Sequence, residues 1–105
     1  MKLEQAQLDE LVRRIVEAVH PLKIILFGSA ARGEMGPDSD VDLMVVMPEG
    51  THLGYTAEHI YLSVRGVGIP YDVVVATPGD IEKHRDTPWL IYRDVAREGR
   101  TVYAA

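Results

Sequence analysis

Two aspartates, Asp40 and Asp42, open a short apolar run and are the side chains of this sequence best suited to chemistry. Side chains two residues apart on a strand point to the same face, so the two carboxylates would project together, with Val41 and Leu43 on the opposite face. Neighbouring like charges repel each other, and neither is buried cheaply without a counter-charge. Mg²⁺ is the natural counter-charge, because it prefers oxygen ligands and usually binds through one or two carboxylates plus substrate phosphates. The pair therefore predicts a magnesium site, and the alternative is a pair that only caps and solvates a loop.

A Gly28-Ser29 pair lies where the apolar run 24–27 passes into a short helical turn. Backbone N–H groups and the positive end of a helix face outward at such a point, which makes it a candidate anion site. Arg32 follows in the same helical turn, and its fixed fork of donors suits phosphate. A tight turn without a ligand is the alternative interpretation of Gly28 and Ser29, and Arg32 alone indicates no function.

The spacing of these residues resembles the signature of the nucleotidyltransferase superfamily typified by DNA polymerase beta, in which a Gly-Ser pair is followed by Asp-x-Asp. Here ten residues, Ala30 to Ser39, separate Gly28-Ser29 from Asp40-Val41-Asp42. The Arg32-Gly33 pair and the run 39–43 are still more similar to the minimal nucleotidyltransferases, which often accompany a HEPN-type partner in prokaryotic toxin–antitoxin pairs. The resemblance covers most of the chain.

This resemblance implies Mg²⁺-dependent transfer of a nucleoside monophosphate, AMP from ATP, onto a hydroxyl. Asp40 and Asp42 would bridge two Mg²⁺ ions roughly 3.5–4 Å apart, one activating the acceptor hydroxyl and the other holding the triphosphate and its leaving pyrophosphate. Gly28 and Ser29 would hold the terminal phosphates, and Arg32 would neutralise charge there. The expected activity is that of a nucleotidyltransferase, and of a protein adenylyltransferase in particular.

Asp72 is a third candidate carboxylate, because it opens the apolar run 73–76. An acidic residue at the entry to a buried strand is expensive unless it has a partner. The resemblance implies a further acid on a neighbouring strand that completes a metal-binding triad, and Asp72 is the matching position. It would bind the metal on the hydroxyl side and could act as the base. The alternative is a strand-entry aspartate that faces solvent.

Apolar periodicity predicts the elements that must position these side chains. A helix is expected over residues 3–19 and is ended by His20-Pro21, because the residue before proline is disfavoured in helical conformation. Its apolar face is Leu8, Leu11, Val12, Ile15 and Val19. Short apolar runs predict strands over 22–27, 41–47 and 69–76, followed by a short terminal strand over 101–103.

The remaining helices are predicted from caps and breakers. A second main helix runs through 57–64 and is ended by Gly66. Thr77 is expected to cap a short helix to about His84, and Thr87-Pro88 is expected to open a last helix over 89–98 in the same way. The residues of the last helix expected to face the core are Leu90, Ile91, Val95 and Trp89. The predicted fold class is α/β (α+β), a small mixed β-sheet with helices packed on it, the nucleotidyltransferase fold.

Composition bounds the function. The chain has 105 residues, is 47% hydrophobic and carries a formal net charge of −5. We therefore expect a single minimal nucleotidyltransferase domain over 1–105, and the charge argues against nucleic acid as a partner, because phosphate-backbone affinity is built from clustered Lys and Arg. There is no cysteine for a disulfide or Cys-based zinc site. His52 and His59 could share a helix face as metal ligands, but they lack a third ligand nearby and are expected to face solvent. A cytoplasmic location is expected, since there is no apolar core of a signal peptide and no run near the roughly 20 residues of a membrane span.

The acceptor is expected on a second molecule, because the catalytic core nearly fills the chain. The negative charge favours a protein acceptor, and the resemblance implies a HEPN-type partner modified on tyrosine, with this chain as the antitoxin. Two alternatives stay open. The chain could be a non-catalytic antitoxin that masks its partner sterically, or a small-molecule nucleotidyltransferase of the antibiotic-modifying kind, although no acceptor domain is visible for the latter.

Overall fold

The computed structural model describes residues 4–36 and 39–105. That part of the chain contains five helices and four strands, in the order α1 (Gln5–Val19), β1 (Lys23–Phe27), α2 (Gly28–Ala31), β2 (Val41–Val46), α3 (Leu53–Ser63), β3 (Tyr71–Ala76), α4 (Pro78–His84), α5 (Ile91–Glu98) and β4 (Arg100–Ala104). None of the helices in the described ranges is long and apolar enough to cross a membrane.

The four strands form one mixed sheet in the order β3-β2-β1-β4. β1 pairs antiparallel with both β2 and β4, whereas β2 and β3 run parallel and are connected through α3. A parallel pair needs such a crossover connection, usually a helix. The α/β fold class with a small mixed sheet is therefore confirmed.

One face of the sheet carries the larger core. α1 packs there with Leu8, Leu11, Val12 and Ile15 buried, as its apolar spacing predicted. α3 packs on the same face through Ile60, and inward residues of β1, β2 and β3 complete the cluster. Burial of each such aliphatic side chain stabilises the fold by about 1.5–3 kcal/mol relative to exposure. Val41 and Leu43, predicted to oppose the aspartates, are fully buried in this core.

The opposite face carries a smaller cluster, in which Phe27, Met44, Val46 and Ala76 pack against Val95 of α5. α4 precedes α5 and begins with a capping box, in which Asp80 N–H donates to the Thr77 hydroxyl at 3.3 Å and Thr77 N–H donates to the Asp80 carboxylate at 3.1 Å. Pro78 follows at the first helical position. These features confirm the predicted start of this helix, and α4 and α5 cover only part of the second face.

Side-chain hydrogen bonds hold both ends of the segment that connects α3 to β3. The guanidinium of Arg14 on α1 donates to the backbone carbonyls of Arg65 and Ser63, just where α3 ends and leaves carbonyls without helical partners. The hydroxyl of Tyr61 accepts from the N–H of Val73 at 2.7 Å, and the hydroxyl of Tyr71 donates to Val64 O at 2.7 Å. The outer edge of β3 is thus partly covered by α3.

Several sequence-based boundaries differ from the structure. The last helix begins at Ile91 instead of residue 89, so Trp89 lies in the preceding turn and is 82% exposed, which makes the prediction that it faces the core wrong. The end of α1 agrees with the prediction: the helix ends at Val19, and His20 follows it in a left-handed conformation, with φ 49°. The predicted helix start at residue 3, and the part of the loop at Pro37, lie outside the described residues.

Candidate active site

The three candidate aspartates meet on the less covered face of the sheet. Asp42 is the second residue of β2 and is paired in register with Asp72 of the parallel strand β3 and with Phe27 of the antiparallel strand β1. Asp40 immediately precedes β2, and the N–H of Val41 beside it donates to Pro70 O at 3.0 Å, just before the parallel pairing begins. Backbone pairing therefore sets Asp42 and Asp72 side by side, although 30 positions separate them in sequence (72 − 42).

Repulsion and partial burial perturb the protonation of this cluster. The pKa of Asp42 is raised, first by burial and then by the charges of Asp72 and Asp40, while Arg32 acts in the opposite direction. The pKa of Asp72 is also raised, by burial and by its close approach to the Asp40 carboxyl. Asp40 and Asp42 are half-buried and Asp72 is exposed. The cluster thus concentrates negative charge that a cation would relieve.

Gly28 permits the turn between β1 and α2 to approach this cluster. Its φ is +73°, a backbone conformation that residues other than glycine rarely adopt. A Cβ at this position would lie 2.5 Å from Asp42 Oδ2, closer than any unstrained contact. The two parts of the predicted Gly-Ser and Asp-x-Asp pattern are therefore in direct proximity, and the glycine is favoured by its backbone conformation, while an added Cβ would also displace the Asp42 carboxylate.

α2 is a single helical turn that continues from Gly28. The N–H of Arg32 donates to Gly28 O at 3.3 Å, and the N–H of Glu34 donates to Ser29 O at 2.8 Å. Ser29 itself is half-buried. The turn carries the Gly28-Ser29 pair directly beside the aspartates, since Gly28 follows Phe27, the residue that pairs with Asp42.

Arg32 makes two ion pairs. Its Nε donates to Glu34 Oε2 at 2.9 Å and its Nη1 donates to Glu98 Oε2 at 3.0 Å. Glu98, the last residue of α5, did not emerge from the sequence, because 66 positions separate it from Arg32. One signal was present: an acidic side chain is unfavourable at the negative end of a helix dipole, so a carboxylate there calls for a partner.

The donor set fits Mg²⁺ bound jointly with a phosphorylated substrate. Within residues 4–36 and 39–105, no three acidic or histidine side chains converge closely enough to hold an ion by themselves. Mg²⁺ is usually bound through one or two carboxylates plus substrate phosphates, so a site completed by the substrate is consistent with this arrangement. Hard carboxylate oxygens with unrelieved negative charge are the ligands that such an ion prefers.

The histidines considered as metal ligands have other surroundings. His52 caps α3, where its Nδ1 accepts from the N–H of Tyr55 at 3.1 Å and its ring stacks on that tyrosine. His59 is exposed, with its Nδ1 3.4 Å from the hydroxyl of Ser63. Both histidines come after the end of β2, whereas the aspartates lie at its start. Their surroundings agree with the prediction that they are surface residues.

Comparison with known proteins defines the class. The sequence model of the nucleotidyltransferase domain family matches residues 8–102, so the chain belongs to that family. The predicted resemblance is thereby confirmed, and the matched range contains the Gly-Ser turn and all three aspartates.

The chain is similar in sequence to one individual protein and in fold to two crystal structures. A protein of Methanocaldococcus jannaschii named "Putative protein adenylyltransferase" is 31% identical over 81 residues, which cover 77% of each protein. The crystal structure of a "putative nucleotidyltransferase" from Sulfolobus solfataricus has a TM-score of 0.55 at 19% identity and matches 99% of this chain and 92% of its own. A crystal structure described as a toxin–antitoxin with AMP-PNP has a TM-score of 0.50 at 18% identity and matches 98% of this chain and 75% of its own. At these identities the two crystal structures support the nucleotidyltransferase fold.

Proposed function

We propose that this chain is a Mg²⁺-dependent nucleotidyltransferase that moves AMP from ATP onto a hydroxyl of a partner protein. The observation that carries the proposal is the approach of the Gly28 turn to Asp42, which stands in register with Asp72. A turn able to receive phosphates and an acidic cluster able to receive a cation are the two halves of a nucleotide site.

The comparisons support the finer parts of the proposal. The relative from M. jannaschii carries the name of a protein adenylyltransferase, which favours AMP as the transferred group and a protein as its acceptor. The structure determined with AMP-PNP, an analogue of ATP, is that of a toxin–antitoxin. We therefore propose that this chain acts as the antitoxin of a pair with a HEPN-type partner, and that residues 1–105 form a single minimal domain.

Each site residue has a separate role in the proposed reaction. The backbone at Gly28 and the hydroxyl of Ser29 would bind the terminal phosphates of ATP, and the Arg32 guanidinium would neutralise part of their charge. Asp72 would accept the proton of the acceptor hydroxyl as that oxygen attacks the α-phosphorus and pyrophosphate leaves.

Asp40 and Asp42 would hold Mg²⁺ together with the triphosphate, and Asp72 would complete the ligand set on the acceptor side. When bound, the metal would stabilise the negative charge that develops on the phosphates. The chain's own contribution is to hold the carboxylates on adjoining strands, so that little rearrangement is needed when the substrate arrives.

The test uses ATP labelled at the α-phosphate, Mg²⁺ and lysate of the source cells, with the Asp40→Asn, Asp42→Asn double variant beside the wild type. We expect one labelled protein band that is absent with the variant and absent with ATP labelled at the γ-phosphate, because AMP and not phosphate is transferred. Labelling by the double variant at the wild-type level would refute the mechanism. A partner that co-purifies with both forms while neither labels it would instead support a binding module that masks its partner sterically.

A further inference from the structure

Arg32 is held between two carboxylates that differ in their attachment to the fold. Glu34 lies two residues away in the same loop and therefore moves with Arg32, whereas Glu98 ends α5, an element distant in sequence. We call these two side chains the carboxylate clamp. The guanidinium carries five N–H donors, so the clamp still leaves donors for a phosphate.

The backbone of Glu98 is fixed from both sides. Val95, one turn earlier in α5, is buried in the smaller core, and Gly99 follows with so little space that an added Cβ would lie 2.5 Å from Val95 O and 2.7 Å from Ile25 Cγ2. Arg100 then pairs with Leu26 of β1. The backbone at Glu98 is thus anchored to the strand that leads directly into the Gly28 turn and has a defined position relative to the sheet.

Glu98 occupies a position that is unfavourable for its own helix. A negative charge at the last turn opposes the helix dipole, and the side chains of Arg32 and Glu98 are 40% and 45% exposed, so their ion pair contributes little to stability. Stability of α5 therefore does not explain an acidic residue here. The contact of Glu98 with Arg32, a residue of the proposed nucleotide site, does explain it.

We propose that Glu98 is a positioning residue, which acts through Arg32 by holding the guanidinium beside the aspartates in the orientation that receives the triphosphate. This inference rests on the proposed function. Arg32 lies in a short turn, and its long side chain can adopt many rotamers. A charged hydrogen bond to a rigid element removes much of this side-chain freedom before the nucleotide binds.

The experiment measures the Kd of Mg²⁺·ATP by calorimetry for the wild type and for Glu98→Ala, Arg32→Ala and the Arg32→Ala, Glu98→Ala double variant. Glu82→Ala is the matched control, since Glu82 lies on α4 and is an exposed glutamate that pairs with Arg85 and not with Arg32. We expect Glu98→Ala to weaken binding about 10-fold, a typical effect of removing a side chain that orients a ligand-binding residue. The control should bind as the wild type does, and the urea midpoints of Glu98→Ala and wild type should agree.

The double variant separates positioning from a direct contact. If Glu98 acts through Arg32, its removal has no further effect once Arg32 is alanine, and the two single effects do not add. Additive effects, an unchanged Kd in Glu98→Ala, or tighter binding would each overturn the inference, the last because Glu98 would then compete with phosphate for Arg32. A wild-type protein that binds no Mg²⁺·ATP would refute the proposed function and the inference together, so the two failures are distinguishable.

Discussion

Replacement of Asp42 by asparagine is expected to make the protein more stable while abolishing its proposed activity. Asparagine keeps the size and shape of the side chain but removes a charge that stands in register with Asp72 and close to Asp40. The wild type tolerates this repulsion in the folded state, and relief of it favours folding. The opposite directions of the stability and activity changes follow from a cluster arranged for a ligand and not for the fold.

The size of the gain follows from the pairing. Like charges directly opposite each other on a sheet destabilise it by up to about 1 kcal/mol, and partial burial of Asp42 adds the cost of removing a charge from water. We therefore expect the free energy of unfolding to rise by about 1 kcal/mol at neutral pH. For a domain of about this size, that corresponds to an increase of ~4–8 °C in Tm.

The pH dependence gives the prediction its sign. Because the pKa of Asp42 is raised in the folded state, the folded protein holds more protons than the unfolded chain between the ordinary and the raised pKa. Wild-type stability is therefore lost as the pH rises through this window. The asparagine variant lacks this loss, so its advantage should be absent below the ordinary aspartate pKa of about 3.9, grow through the window and be complete at neutral pH.

The assay is urea unfolding of the two proteins across this pH range, without divalent cations. Asp86→Asn, at an exposed position outside the acidic cluster, is the control for the loss of one negative charge and should show no such pH-dependent gain. A variant that is less stable than the wild type at neutral pH, or whose gain is the same at every pH, would refute the reasoning that the cluster is under electrostatic repulsion.

Three further outcomes are expected. Mg²⁺·ATP at about ten times its Kd should raise the free energy of unfolding of the wild type by about 1.4 kcal/mol, and chelation of the metal or the Asp40→Asn, Asp42→Asn change should abolish this effect in thermal unfolding. Gly28→Ala should cost about 1–3 kcal/mol through its positive φ and its clash with Asp42, and should exceed Gly33→Ala, which has a similar φ but no neighbour within 4 Å; equal costs would contradict the clash. Arg14→Ala should lower the free energy of unfolding by about 1 kcal/mol, because the carbonyls of Ser63, at the end of α3, and of Arg65, just beyond it, lose a donor; an unchanged urea midpoint would count against that role.

Local patterns were enough to predict most elements. The spacing of the apolar face of α1 and the capping box at Thr77 depend on residues within a few positions of each other, and the structure has both. Trp89 shows the limit of such patterns. Thr87-Pro88 predicted a helix start two residues too early, and the shift moved Trp89 from an expected core position to an exposed turn.

The site divides in the same way. The proximity of Asp40 and Asp42 follows from their spacing alone. Asp72 was predicted as a site residue because it is an acidic residue at the entry to an apolar strand. The partner of Arg32 could not be predicted, because Glu98 comes to the site only through the packing of α5 on β1 and the antiparallel pairing of β4. Long-range contacts of this kind depend on tertiary structure, which carries no signal at a fixed sequence spacing.

The parallel register of β2 and β3 makes the apolar face of β3 a determinant of the acidic site, because Asp72 stands opposite Asp42 only when Val73 and Val75 face the core. Successive residues of a strand face opposite sides, so a slip by one residue would turn Asp72 into the core and bring Tyr71 or Val73 opposite Asp42. Among homologous chains with this site, residues 73 and 75 should therefore stay apolar, while the connection before β3 can vary in length. A polar side chain at Val73 or Val75 would weaken the position of the third carboxylate together with the core, while leaving every residue of the motif in the sequence.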